Sequence, residues 1–326
     1  MENNMAIMVT GGAGFIGSHL CEFLLNCNQD VVAIDDLSTG SKSNIDHLSD
    51  YSSFRFKEGS INDESLMKSV IEKCDIIYHL AASVGVKLIV DKPLEAMENN
   101  VFGTENVLKY ALKDKKKVLI TSSSEVYGRN NSVPFSENDD RVFGSVYSTR
   151  WGYALSKSMD EFLAINYCTE KHLPTVVSRL FNTVGPRQTG QYGMVVPRLV
   201  EQAINSEPLT VYGDGNQSRC FTHVEDVVKG LVGLMESSKT VGEVFNIGSD
   251  DEITIHELAE KIIYLTGSTS TIQFVSYDQV YGKRFEDMQR RVPDISRIKK
   301  VIGFEPKVGI DKIIKDVVDY FRKNKY

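Results

Sequence analysis

Six short β-branched runs that alternate with amphipathic helical stretches predict an α/β chain on a parallel sheet covered on both faces. A glycine triplet directly after the first run, and an aspartate at the end of the second, make that sheet a doubly wound, nucleotide-binding one. The looser alternation of the second half predicts a smaller C-terminal lobe packed on the sheet.

Residues 6–9 read as the first strand. The segment Val9-Thr10-Gly11-Gly12-Ala13-Gly14-Phe15-Ile16-Gly17-Ser18 carries it into a helix over 16–25, with Ile16, Leu20, Phe23 and Leu24 on the apolar face. Glycines at 11, 14 and 17 allow a tight turn, close approach of backbone to a pyrophosphate, and close packing of helix on strand. The second strand, 31–34, ends at Asp35. An acid there accepts hydrogen bonds from ribose hydroxyls and repels a 2′-phosphate, so NAD is expected over NADP. In isolation the glycines would be a plain loop and Asp35 a turn residue; the β-α-β setting argues for the nucleotide. Strands at 54–56, 76–80, 118–121 and 175–179 and helices at 64–72, 93–112 and 152–170 continue the alternation. Past a boundary near 181–185, strands are expected at 209–212 and 244–247, and helices at 224–235, 255–265 and 310–322. Residues 1–180 are therefore expected to form the nucleotide-binding domain. Residues 181–326 should form mainly a substrate-binding lobe, with room for segments that return to the main sheet.

Composition narrows the function. The chain has 326 residues, 37 basic and 44 acidic, for a formal charge of −7. That balance is the reverse of a protein that grips nucleic acid through its phosphates. A few arginines and helix N-termini still suffice for an anionic small ligand. The five cysteines are odd in number and scattered without a C-x-x-C pair, which fits neither a disulfide framework nor a zinc site. The six histidines show no ligand spacing, so no metal is expected. No apolar run is long enough to span a membrane, and the apolar start at 5–9 is too short for a signal peptide. A cytoplasmic protein without membrane or nucleic-acid partners is expected.

Tyr153 and Lys157 stand four apart in Trp151-Gly152-Tyr153-Ala154-Leu155-Ser156-Lys157, one helical turn from each other on one face. An ammonium beside a phenol stabilises the phenolate, which predicts a lowered tyrosine pKa and a base for a hydroxyl proton. With 14 tyrosines in the chain, such a pair also arises by accident. Its weight comes from Thr121-Ser122-Ser123-Ser124-Glu125-Val126-Tyr127-Gly128, a polar cluster after a buried strand, at the sheet edge where ligands bind.

Here the chain resembles the extended short-chain dehydrogenase/reductase family, and within it the nucleotide-sugar epimerases, dehydratases and decarboxylases. The resemblance spans nearly the whole chain. It includes GGAGFIGSHL, AIDDLSTG, HLAA at 79–82, NNVFGTENVL at 99–108, SSSEVYG and YALSK. It continues through RLFNTVGPR at 179–187, LTVYGDGNQSRCFTHVEDVV at 209–228, NIGS at 246–249 and RRVPDISRIKKVIGFEPK at 290–307. The resemblance implies a Rossmann-like doubly wound parallel sheet, NAD as cofactor, a nucleotide-diphosphate sugar (UDP-linked by preference) as substrate, and a role in polysaccharide biosynthesis. Tyr153 would be the base, Lys157 its electrostatic partner and ribose anchor, and Ser123 the hydroxyl that orients the sugar, with Ser124 and Glu125 completing the catalytic group. Gly11, Gly14, Phe15, Ile16, Asp35, Leu80, Ala81, Ala82, Asn100 and Ser122 would line the NAD site with Tyr153 and Lys157. Ser60 and Ile61 join them at the end of the third strand, where many relatives have an aspartate before a hydrophobic residue. Asn182, Val196, Tyr212, Arg219 and Arg291 would hold the nucleotide-diphosphate sugar. Taken singly, the two arginines also read as surface ion-pair residues and the two asparagines as loop caps. A homodimer is implied through the helices at 93–112 and 152–170, with Val101, Val107, Leu108, Phe162 and Ile165 as its apolar surface.

Three reactions share oxidation of the sugar C4 hydroxyl. Rotation of the keto sugar gives a 4-epimerase, and loss of the C6 hydroxyl a 4,6-dehydratase. Loss of carbon dioxide from a C6 carboxylate gives a decarboxylase. Glu125 before Val-Tyr-Gly resembles the dehydratases and UDP-glucuronate decarboxylases, and RLFNTVGPR, LTVYGDGNQSR and RRVPDI resemble UDP-xylose synthase. HLAASVGVKLIVDKP is closer to the epimerases. The decarboxylase type is favoured, the 4-epimerase is the alternative, and a dehydratase or a non-catalytic NAD-binding regulatory protein stands behind them. The latter would lack the tyrosine or the lysine.

Overall fold

A computed structural model of the chain describes residues 5–84, 92–148, 150–190, 194–281 and 288–324. Residues 85–91, the middle of the epimerase-like HLAASVGVKLIVDKP, lie outside the described residues.

Seven strands form one sheet: β1 (Ala6–Thr10), β2 (Asp30–Asp35), β3 (Phe54–Glu58), β4 (Ile76–His79), β5 (Lys117–Ser123), β6 (Thr175–Leu180) and β7 (Val244–Ile247). Their order is β7-β6-β5-β4-β1-β2-β3, and every neighbouring pair is parallel. The chain winds outward from β1 to β3, then returns beside β1 and winds the other way. That reversal leaves a crevice at the C-terminal ends of β1 and β4, where this architecture takes its ligands.

Among the described residues the principal helices are α1 (Phe15–Asn26), α2 (Glu64–Ile71), α3 (Pro93–Leu112), α4 (Arg150–Lys171), α5 (Val195–Ile204), α6 (Val224–Glu236), α7 (Ile255–Thr266) and α8 (Ile310–Asn324). Strand side chains alternate between faces, so β1 sends Val9 into one core and Met8 into another. The first joins Leu20 and Leu24 of α1 to Leu231 of α6 and Phe245 of β7. The second joins Met67 of α2, Val107 and Leu108 of α3 and Ala164 of α4. Val107 and Leu108 are thus fully buried within one chain and are not part of the apolar surface expected for a dimer. They lie instead on the sheet side of α3, in one core with Ile77 of β4 and Val118 and Ile120 of β5.

A third core, with Val196 and Leu199 of α5, Leu258 and Ile262 of α7, and Ile313 and Val317 of α8, lies apart from the sheet. The second half therefore divides its labour: 224–247 completes the main sheet, and 195–212 and 255–275 build the lobe with α8. Within the lobe Ser218–Cys220 pairs with Glu252–Thr254 and with Arg290–Arg291, which sets Arg291 opposite Arg219 in register. Among the described residues, no helix is long and apolar enough to cross a membrane.

Candidate active site

Where β1 passes into α1, Gly11 adopts φ +69°, and a Cβ there would lie 2.9 Å from the Ala81 nitrogen. At Gly17 a Cβ would fall 2.0 Å from the Gly11 carbonyl oxygen. Both positions thus require the absence of a side chain. Asp35 closes the turn from the side: its Oδ2 accepts the Ala13 N–H at 3.0 Å and its Oδ1 the Leu37 N–H at 2.8 Å. Burial raises the Asp35 carboxyl above its ordinary range, and the two backbone donors oppose the rise. A bare backbone turn at a helix N-terminus, with a carboxylate beside it, fits a dinucleotide pyrophosphate and its ribose.

A cavity of about 950 Å³ runs from this turn, past the ends of β4 and β5, to Tyr212 and Arg219. Gly11, Gly14, Phe15, Ile16, Asp35, Ser60, Ile61, Leu80, Ala81, Ala82 and Ser122 all line it, as do the candidate catalytic and substrate residues. Asn100 does not. It is buried behind the wall, where its Oδ1 accepts the Ser83 N–H at 2.7 Å and its Nδ2 donates to Ser156 Oγ at 3.1 Å. Its neighbour Asn99 reaches the cavity instead.

β5 delivers the polar cluster. Ser122 Oγ donates to Glu161 Oε1 at 2.5 Å, which anchors the strand end to α4. Ser123 Oγ accepts the Glu125 N–H at 3.3 Å, capping the short turn Ser124–Tyr127, and its side chain hydrogen-bonds Tyr153. On α4, Tyr153 and Lys157 stand one turn apart, as the spacing predicts. The expected lowering of the Tyr153 pKa is not the net outcome. Burial raises it above the ordinary tyrosine value and Glu125 adds to the rise, while Lys157 and the Ser123 hydrogen bond pull against them. Withdrawing a phenolate from water outweighs the single cation beside it.

Further along, Arg291 Nη2 meets Glu125 Oε1 at 2.5 Å, and its Nη1 lies 3.5 Å from both Ser124 Oγ and Asn182 Oδ1. Arg291, expected to help hold the nucleotide-diphosphate sugar, stands at the sugar end, beside Glu125 and Ser124. Arg219 Nη1 donates to the Ser218 and Gln289 carbonyls. Asn182 Nδ2 donates to the Cys220 carbonyl at 2.8 Å, and Val196 lies on the cavity floor, fully buried. At the far end the Arg198 guanidinium stacks on the Tyr212 ring at 4.1 Å. Gln217 there donates to the Tyr212 carbonyl and to the Tyr277 hydroxyl.

Arg187, Arg198, Gln217 and Tyr277 are among the cavity residues that had no role in the sequence reading. Arg198, Gln217 and Tyr277 form the far wall with Tyr212. Arg187 reaches back to α1, where it pairs with Glu22 at 2.5 Å and approaches Ser18 Oγ at 3.4 Å. An arginine after the Gly-Pro of RLFNTVGPR was the one available signal for it. Nothing local marks Tyr277.

Comparison with known proteins agrees with the fold. The family model described as GDP-mannose 4,6 dehydratase matches residues 8–317. The UDP-N-acetyl-alpha-D-glucosaminuronate decarboxylase of Bacillus cytotoxicus is 40% identical over 317 residues, covering 97% of each protein. UDP-glucuronic acid decarboxylase 1 of Xenopus tropicalis is 36% identical over 324 residues, 99% of this chain and 73% of that protein. Among solved structures, the UDP-glucuronic acid 4-epimerase of Bacillus cereus, in complex with UDP-glucuronic acid and NAD, superposes with a TM-score of 0.88. It is 31% identical, and the match covers 98% of this chain and 99% of that one.

Proposed function

Since the chain belongs to the GDP-mannose 4,6-dehydratase family, we propose that it decarboxylates a UDP-linked hexuronate through a 4-keto sugar. It is an NAD-dependent enzyme of nucleotide-sugar metabolism, like its relatives. The observation that carries the finer reading is the Glu125–Arg291 pair beside Ser124. A 4-epimerase needs a base for the C4 hydroxyl and room for the sugar to turn. An acid and a cation fixed next to that base suit a substrate with a carboxylate at C6.

The turn from Gly11 to Ser18, Asp35 and Lys157 would hold the cofactor. Bound NAD supplies an acceptor for the C4 hydride and later returns it. The chain supplies the rest. Tyr153 takes the C4 hydroxyl proton, with Ser123 orienting the sugar and Lys157 offsetting the phenolate charge. The C6 carboxylate then lies β to a ketone, so its C5–C6 bond breaks to release carbon dioxide, and the electron pair moves into the C4 carbonyl. Arg291 orients the carboxylate. Because Glu125 neutralises that guanidinium, no net positive charge holds the carboxylate in its ground state. A proton reaches C5 through the Glu125 side, and C4 is reduced again, leaving a pentose.

The decisive assay incubates the protein and NAD with UDP-N-acetylglucosaminuronate and, separately, with UDP-glucuronate, read by mass spectrometry and proton NMR. The expected product has lost the mass of carbon dioxide. An unchanged mass with altered sugar signals would replace this reading with the 4-epimerase.

Homodimerisation is part of the same proposal. Leu155, Met159 and Phe162 fall on one face of α4 at i, i+4 and i+7, and Leu94 and Phe102 of α3 are likewise exposed. An apolar face of this kind on two adjoining helices suits a second copy. The wild type should sediment as a dimer at micromolar concentration, and Phe162→Asp as a folded monomer. A monomeric wild type would remove the idea.

A further inference from the structure

Beneath Tyr153 and Lys157 runs a line of buried polar side chains, Asp160, Thr104, His79 and Thr10, none of which lines the cavity. Lys157 donates to Asp160 Oδ2 at 2.9 Å; the lysine is 2% exposed and the aspartate fully buried. The Thr104 hydroxyl, on α3, faces that carboxylate and favours its ionised form. Thr104 Oγ1 lies 3.0 Å from His79 Nε2, and His79 Nδ1 lies 2.8 Å from Thr10 Oγ1.

Proton positions along this line follow from its far end. Thr10 Oγ1 accepts the backbone N–H groups of Leu80 and Ala81 at 3.2 and 3.1 Å. Its lone pairs are then occupied, which leaves its own O–H to donate to His79 Nδ1. His79 therefore carries its proton on Nε2 and donates to Thr104, whose O–H is free to point at Asp160. His79 stays neutral, since burial and then the Lys157 charge push it down to about 3. The line presents a donor, and no charge, to the aspartate.

Burying a carboxylate and an ammonium together is no gain for stability over two apolar residues of similar size. We infer that Asp160 is a positioning residue of the oxidation step: it fixes the Lys157 ammonium beside Tyr153 and provides the countercharge that sets how many protons that pair holds. This rests on Tyr153 and Lys157 carrying the step. Lys157 is faced by Tyr153, Asp160 and Glu161 of its own helix and by His79 of β4. Tyr153 is faced in addition by Glu125 after β5. Burial alone would draw the lysine down, yet Asp160 and then Tyr153 reverse this and hold it above its ordinary value. Removing one negative charge from such a coupled pair lets both of its protons leave at lower pH.

The test compares Asp160→Asn and Asp160→Glu with the wild type in two measurements across pH. One is the first-turnover rate of nicotinamide reduction. The other is a tyrosinate absorbance titration, taken without nucleotide sugar, of each protein minus its own Tyr153→Phe counterpart. In Asp160→Asn both limbs of the rate profile and the titration should move about one pH unit to the acid side. Asp160→Glu should stay near the wild-type position. A rate that falls in Asp160→Asn with no movement on the pH axis would overturn the inference. If Asp160→Asn does not fold, Asp160→Ser takes its place. Failure of both to fold, with Asp160→Glu sound, would assign the residue to structure alone. Should Tyr153→Phe still reduce the nicotinamide, the reading of the redox pair fails. If Tyr153→Phe is inert and the asparagine profile does not move, only the role of Asp160 fails.

Discussion

Tyr153→Phe should lower the reduction of bound nicotinamide by about 10³–10⁴-fold while leaving the fold intact. The substitution removes one oxygen and no carbon, and the ring keeps its place on α4. What disappears is the group that takes the C4 proton. Ser123, the other hydroxyl hydrogen-bonded there, is an aliphatic alcohol and a far weaker acid than a phenol, so its anion is not available to take the proton. Rapid-scan absorbance of reduced nicotinamide after mixing with the UDP-hexuronate reads the step directly. A variant that still reduces its nicotinamide at a tenth of the wild-type rate would move the base to another residue.

The second large effect separates redox from bond cleavage. Glu125→Gln keeps the size and a hydrogen-bonding amide but removes the charge that faces Arg291. Nicotinamide reduction should survive within a few-fold. Overall product should fall by about 10²–10³-fold, with reduced nicotinamide accumulating or keto sugar escaping. Loss of the partner also leaves the largely buried Arg291 guanidinium less well paired, so a melting curve belongs beside the kinetics. Near-normal turnover would show that nothing at C5 or C6 depends on Glu125, and the 4-epimerase would then lead.

Much of this was open to reading from sequence because its signals are local. The β1–α1 turn is contiguous, and the Tyr153–Lys157 pair sits within one helical turn. Periodicity likewise marked each strand of the main sheet, since buried parallel strands leave unbroken apolar runs such as Val118–Ile120. What stayed hidden depends on how distant segments meet. That Arg291 pairs with Glu125 could not be read, because the sequence does not show that 290–291 pairs with 218–219 and so swings toward the end of β5. Asn100 was read as a ligand contact because a helix sequence does not disclose which of two adjacent asparagines faces the cavity. The pKa of Tyr153 was misjudged because a neighbouring lysine is visible in sequence and the extent of desolvation is not. Asp160 looks like any surface acid three residues after a lysine until α3 and β4 are packed against it.

The pairing of β7 with β6 joins residues more than sixty positions apart. As the chain leaves the ribosome, strands β1 to β6 can assemble first, each beside a partner already made. The outer edge of β6 must then wait, with its N–H and C=O groups open, until residue 247 arrives. Everything between them, including α5 of the lobe and α6, has to be held aside without closing that edge. Such a long loop slows the final docking step. The unguarded edge is the place where a nascent or truncated chain is most prone to pair with a neighbour instead of with itself.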